Sequence, residues 1–173
     1  MIKIGIDVGS TTAKLVAVDE NDNLLFSKYE RHNAKAKETI LSFLKELLSE
    51  IGDKDISVRI TGSIGMGISE KCSLPFVQEV VAAAKAIQKD YSHVTSMIDI
   101  GGEDAKVVFF KDAEATDLRM NGNCAGGTGA FIDQMAIILG VNIDELNQLA
   151  MNATQVYPIA SRCGVFCKTD IQN

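Results

Sequence analysis

Two stretches of the chain follow one plan. Residues 1–18 read MIKIGIDVGSTTAKLVAV, and residues 95–110 read TSMIDIGGEDAKVVFF. Each runs as a strand ending in aspartate, an apolar residue and glycine, then a polar turn, then Ala-Lys and a second strand. One such hairpin constrains little. A hairpin that returns in the second half of the chain points to a duplicated lobe, with coincidence between two hydrophobic hairpins as the alternative, and the surroundings agree with duplication. Strands are expected at 2–8, 13–19 and 24–30, with Asn21-Asp22-Asn23 as a turn, which makes an antiparallel meander. Residues 35–51 carry Ile40, Phe43, Leu44, Leu47, Leu48 and Ile51 at helical spacing. A strand at 56–61 ends in the loop GSIGMG, and 77–90 forms a second helix. In the second half the repeated hairpin is followed by a strand at 114–120 and helices at about 128–140 and 143–150. The expected class is α/β, with lobes at 1–93 and 94–173.

Bulk properties narrow the function. Hydrophobic content is 46%, charged content 23% and net charge −6 over 173 residues. That suits a packed protein and argues against nucleic acid as a main partner, since no basic cluster offsets the charge. No apolar run reaches the length of a membrane span, and MIKIGIDVGS lacks the apolar core of a signal peptide. A cytoplasmic location is expected. The four cysteines, Cys72, Cys124, Cys163 and Cys167, are then expected to be reduced.

Three motifs carry chemistry. In DVGSTTAK, residues 7–14, a turn of Gly9, Ser10, Thr11 and Thr12 offers backbone N–H groups and hydroxyls to anionic oxygens. Asp7 can hold magnesium through waters, and Lys14 can neutralise phosphate charge, with a solvent-facing strand lysine as the alternative. An ordinary hairpin turn is the plain alternative. DIGGEDAK, residues 99–106, repeats that chemistry with Asp99, Gly101, Gly102 and Asp104. Two such loops facing each other would grip a polyphosphate and a metal. In NGNCAGGTGAF, residues 121–131, Gly126, Gly127 and Thr128 open a helix whose N-terminus can face phosphate, with Cys124 just upstream. Glu79 starts a helix and is a candidate to orient or deprotonate the attacking water; a solvated helix glutamate is the alternative. Cys72 reads as structural. His32 and His93 stand apart from the motifs and are assigned no role.

The paired loops resemble those of the actin, sugar-kinase and chaperone-ATPase superfamily, in which two ribonuclease-H-like lobes close on ATP and Mg²⁺. Asp7 and Asp99 match the superfamily's two phosphate motifs. NGNCAGGTGAFIDQMA followed by ASRCGVF is more specific. It resembles the BadF/BadG/BcrA/BcrD ATPases, the activators of 2-hydroxyacyl-CoA dehydratases and their benzoyl-CoA reductase relatives. The resemblance implies a homodimer whose subunits each give two cysteines to one shared [4Fe-4S] cluster, at the positions of Cys124 and Cys163 here. Four thiolates complete such a site, and a twofold axis turns two into four. It further implies ATP-dependent electron delivery, from ferredoxin or flavodoxin to a dehydratase or reductase acting on a CoA thioester. Cys167 departs from the family pattern, where a small residue is expected, and reads as packing.

The superfamily's adenosine-binding glycine loop has no match after residue 166. A helix expected to begin at Thr169, within KTDIQN, would have only its first turn. Both features suggest an N-terminal portion of a longer protein with an incomplete second lobe. Two other functions stay open on the sequence. A small-molecule kinase of the same superfamily would have no use for the cysteines. A nucleotide-sensing module would bind without turnover.

Overall fold

The structure, a computed structural model, describes residues 1–112, 114–122 and 124–172. The chain divides into two compact units, Met1–Ser92 and His93–Asn173. No helix among the described residues is long and apolar enough to cross a membrane.

The first unit opens with the meander: β1 (Ile2–Val8), β2 (Thr12–Val18) and β3 (Leu24–Arg31). Helix α1 (Ala36–Ile51) then crosses over to β4 (Ile56–Thr61), which lies parallel to β1, so the sheet order is β3-β2-β1-β4. A parallel return needs such a crossover. Alternation sets the faces. Ile2, Ile4, Ile6 and Val8 are buried, and register pairs Ile4 with Ala17, Ile6 with Leu15 and Val8 with Ala13. They share one core with Ile40, Phe43, Leu47 and Ile51 of α1. Phe43, Leu15, Leu47, Ile60 and Val8 are all but fully buried, and such burial stabilises by roughly 1.5–3 kcal/mol per large side chain. Asp7 and Lys14, also paired in register, belong to the opposite face.

Two helices follow. Residues 62–67, expected as a loop, contain the start of α2 (Gly65–Cys72). Tertiary packing overrides glycine's poor helix propensity here: a Cβ on Gly65 would come within 2.9 Å of the Ile60 side chain. Phe76 then bridges Ile60 in parallel, and α3 runs Glu79–Asp90. Residues 77 and 78 are thus outside the helix, because the Val77 N–H donates to Ile60 at the sheet edge.

The second unit repeats the meander with β5 (Ser96–Ile100), β6 (Ala105–Lys111) and β7 (Glu114–Met120), in that order in the sheet. The two hairpin turns close with the same backbone bond. The Gly9 N–H donates to the Thr12 carbonyl at 3.0 Å, and the Gly101 N–H donates to the Asp104 carbonyl at 2.8 Å. Asp99 pairs in register with Lys106, as Asp7 does with Lys14. Helices α4 (Gly129–Ile138), α5 (Ile143–Met151) and α6 (Gly164–Gln172) complete the unit. Asn142 and Glu145 form a capping box on α5. The helix expected to start at Thr169 starts at Gly164 instead. Cys167 is buried on α6, and its N–H donates to Cys163 one turn back. Its burial agrees with a packing role.

Candidate functional site

The first unit gathers its chemistry where β1 and β4 end. Lys14 Nζ donates to Asp7 Oδ2 at 2.8 Å and lies over the Tyr29 ring, 5.2 Å from its centroid. The other Asp7 oxygen, Oδ1, is buried and has no hydrogen-bond partner. Gly9, Ser10, Thr11 and Thr12 are half-buried, and the Ser10 and Thr11 hydroxyls lie 3.5 Å apart. Beside the loop, the chain turns away from β4 at Gly62, with φ 96°. A Cβ there would fall 2.3 Å from the Val8 carbonyl oxygen, so only glycine fits. Glu79 is the first residue of α3 and half-buried. The Phe76–Ile60 bridge sets it three residues past the sheet edge on the side of the β4 end.

His32 belongs to this site, contrary to the sequence reading. It is 4% exposed, its backbone N–H donates to Thr11, and Nε2 donates to the Gly9 carbonyl at 3.1 Å. A carbonyl only accepts, so Nε2 carries the proton in this contact. Nδ1 is buried without a partner. Pairing of β2 with β3, which sets Thr12 opposite Arg31, brings His32 to the loop across the meander. Cys72, expected to be structural, is exposed at the end of α2. His93 is exposed and carries no site contact.

In the second unit the loop 99–106 and the cysteine segment are fastened together. The N–H groups of Gly129 and Ala130, the first of α4, donate to the carbonyls of Gly101 and Gly102 at 2.8 and 2.9 Å. The donors of the helix N-terminus, expected to face phosphate, are therefore partly committed to the loop. Thr128 is fully buried, and its hydroxyl donates to Ala125 at 2.6 Å. It closes the turn and has no surface to offer a ligand. At the other end of the segment, Asn121 Nδ2 donates to the Cys124 carbonyl at 2.9 Å, while its Oδ1 accepts from the Ala105 N–H at 3.0 Å. Asn121 was not singled out from the sequence, since its partners arrive only through the β6–β7 pairing. Lys106 is buried and ion-pairs with Asp104 at 2.8 Å. Asp99, Gly101 and Gly102 are half-buried.

Cys124 and Cys163 come from loops that meet back to back at two glycines. A Cβ on Gly126 would lie 3.2 Å from the Gly164 nitrogen and 3.3 Å from Cys124 Sγ. The N–H of Gly126, and then that of Gly164, hold the Cys124 thiol below its ordinary value. Cys124 is exposed and Cys163 half-buried. Among the described residues no group of three or more histidines, cysteines or carboxylates is arranged to hold a metal ion.

A twice-repeated three-strand meander with a glycine-rich turn, together with a parallel β4 in the first unit, is the architecture of the actin-like ATPases and sugar kinases. Within that class the chain belongs to the BadF/BadG/BcrA/BcrD ATPase family, which it matches over residues 4–173. The (R)-2-hydroxyglutaryl-CoA dehydratase activating ATPase of Acidaminococcus fermentans is 28% identical, over 97% of this chain and 65% of its own length. The 2-hydroxyisocaproyl-CoA dehydratase activator of Clostridioides difficile is 30% identical, over 99% of this chain and 65% of its own. A solved structure of the activator of the 2-hydroxyisocaproyl-CoA dehydratase from Clostridium difficile, with bound ADPNP, superposes with a TM-score of 0.84 at 30% identity, covering 98% of this chain and 64% of that one. The chain thus spans slightly under two thirds of the length of these relatives.

Proposed function

We propose that this chain carries the phosphate loops and half of a cluster site of an ATP-driven electron-transfer activator. The observation that carries the reading is the meeting of the Cys124 and Cys163 loops at Gly126 and Gly164, on a segment fastened to the loop 99–106. The Cys124 donor set fits an anionic sulfur ligand, because two backbone N–H groups already stabilise its thiolate. Two thiols per chain fit half of a four-thiolate site, so a second copy of the chain completes it. Cys124 and Cys163 would hold the [4Fe-4S] cluster, which when bound supplies one-electron chemistry at low potential.

Each unit carries one loop of phosphate-binding type. Gly9, Ser10, Thr11 and Thr12 in the first, and Gly101 and Gly102 in the second, offer donors to the phosphates of ATP or ADP. Asp7 fits a hydrated Mg²⁺ through its free oxygen, with Asp99 and Asp104 as the matching carboxylates of the second loop. Lys14 balances charge, and Glu79 orients the attacking water. Gly126, Gly127 and Thr128 shape the turn that ties Cys124 to the loop 99–106. A change in that loop on hydrolysis is then passed to the cysteine segment through Asn121, Gly129 and Ala130. The electron donor is a ferredoxin or flavodoxin. The acceptor is a 2-hydroxyacyl-CoA dehydratase or a benzoyl-CoA-reductase-like enzyme.

The test is anaerobic reconstitution with iron and sulfide. We expect about two irons per monomer in a dimer, lost in a Cys124→Ala, Cys163→Ala double variant. A folded, dimeric chain that takes up no iron overturns the reading.

A further inference from the structure

Three buried side-chain atoms among the described residues lack a hydrogen-bond partner: Asp7 Oδ1, Thr61 Oγ1 and His32 Nδ1. Buried polar groups are almost always satisfied, so an orphan calls for a cause. Two of these atoms belong together. Asp7 and Thr61 are register partners on the parallel strands β1 and β4, and register partners project to the same face of a sheet. Both sit at the strand ends beside the turn 9–12. The Asp7 carboxylate is half committed, since Oδ2 takes the Lys14 ammonium at 2.8 Å. The chain past Thr61 is driven aside by the glycine-only turn at Gly62, and the Ile64 N–H donates to Val8 at 3.0 Å. No backbone group is thereby brought to the hydroxyl.

We propose that Thr61 is a positioning residue for a hydrated divalent cation. Its hydroxyl holds a water of the ion's shell while Asp7 Oδ1 anchors the same shell. Magnesium keeps several of its waters and binds proteins through one or two carboxylates plus substrate phosphates. A carboxylate oxygen and a hydroxyl on neighbouring strands suit that outer shell. The hydroxyl is unsatisfied in the ligand-free chain and becomes satisfied with the ion. A side chain kept for packing would show the reverse. The inference rests on the reading of 7–14 as a phosphate and metal loop.

The discriminating variant is Thr61→Val, which removes the hydroxyl and keeps the β-branched shape of the strand. Thr61→Ser keeps the hydroxyl. We would record thermal melting without ligand, and ADPNP affinity by calorimetry in Mg²⁺ and in EDTA. The expected result is an unchanged or raised melting temperature for Thr61→Val, because an unsatisfied buried group is removed. ADPNP affinity in Mg²⁺ falls about tenfold, as loss of one such hydrogen bond predicts. Affinity in EDTA stays as in the wild type, and Thr61→Ser follows the wild type throughout. Wild-type affinity in Mg²⁺ retained by Thr61→Val overturns the inference, as does equal loss in Mg²⁺ and EDTA with a lowered melting temperature. A wild type that binds ADPNP in neither medium removes the nucleotide reading and this inference with it, a result separate from the other two.

Discussion

Cys124 shows how a few atoms decide a residue's chemistry. Its thiol is exposed, so burial does little to oppose ionisation, and the N–H groups of Gly126 and Gly164 favour the thiolate. In the metal-free chain its alkylation by iodoacetamide should therefore rise through an inflection below the ordinary thiol value of about 8.5. A lowered value also means that the stabilisation from those N–H bonds is complete above the ordinary range and fades as pH falls through the lowered one. An inflection at or above the ordinary thiol value would contradict the assignment of those donors.

At the scale of elements, the cysteine segment is held at both ends by the loop and hairpin that precede it. Asn121 bonds both Ala105 and Cys124, and α4 hangs from Gly101 and Gly102. Truncating Asn121 to alanine leaves the Ala105 N–H and the Cys124 carbonyl without this partner. The expected loss is about 1 kcal/mol of unfolding free energy, seen as a lower denaturant midpoint at unchanged slope. The Cys124 alkylation inflection should move up towards the ordinary value. An unchanged inflection in a destabilised variant would assign Asn121 to the fold alone. Much of both units was legible beforehand: Asp7 with Lys14 and Asp99 with Lys106 are visible as a repeated interval, and period-two burial in β1 follows from Ile2, Ile4, Ile6 and Val8. What was not legible depends on contacts across strands. His32 reaches Gly9 only through the β2–β3 pairing, and Asn121 reaches Ala105 only through β6–β7. Local glycines misled at both helix starts, α2 at Gly65 and α6 at Gly164, because each glycine serves a close approach that sequence does not display.

For the molecule as a whole, the β2–β3 turn should contribute to the acid limb of stability. Asp22, in the β2–β3 turn, accepts from Lys89 of α3 at 2.6 Å and from Lys3 of β1 at 2.9 Å. Those bonds, Lys89 first, bring its carboxyl down to about 2. A folded value below the unfolded one of about 4 means stabilisation that is complete above that pH and is lost as pH falls towards 2. All three groups are exposed, so salt should weaken the effect. An Asp22→Asn variant should show a shallower loss of stability between pH 4 and 2 than the wild type, measured by denaturant titration at each pH. Equal slopes would mean that other carboxylates dominate the acid limb.

The suspension of α4 from two loop carbonyls has a mechanical side. A helix of ten residues is a rod of roughly 15 Å, given a rise of about 1.5 Å per residue. Pivoted at Gly101 and Gly102, a tilt of about 10° would swing its far end by roughly 2.6 Å, while the pivot moves by a fraction of an ångström. Under the proposed function, leverage of this kind would turn the difference between one phosphate more and one fewer into a displacement large enough to repack side chains.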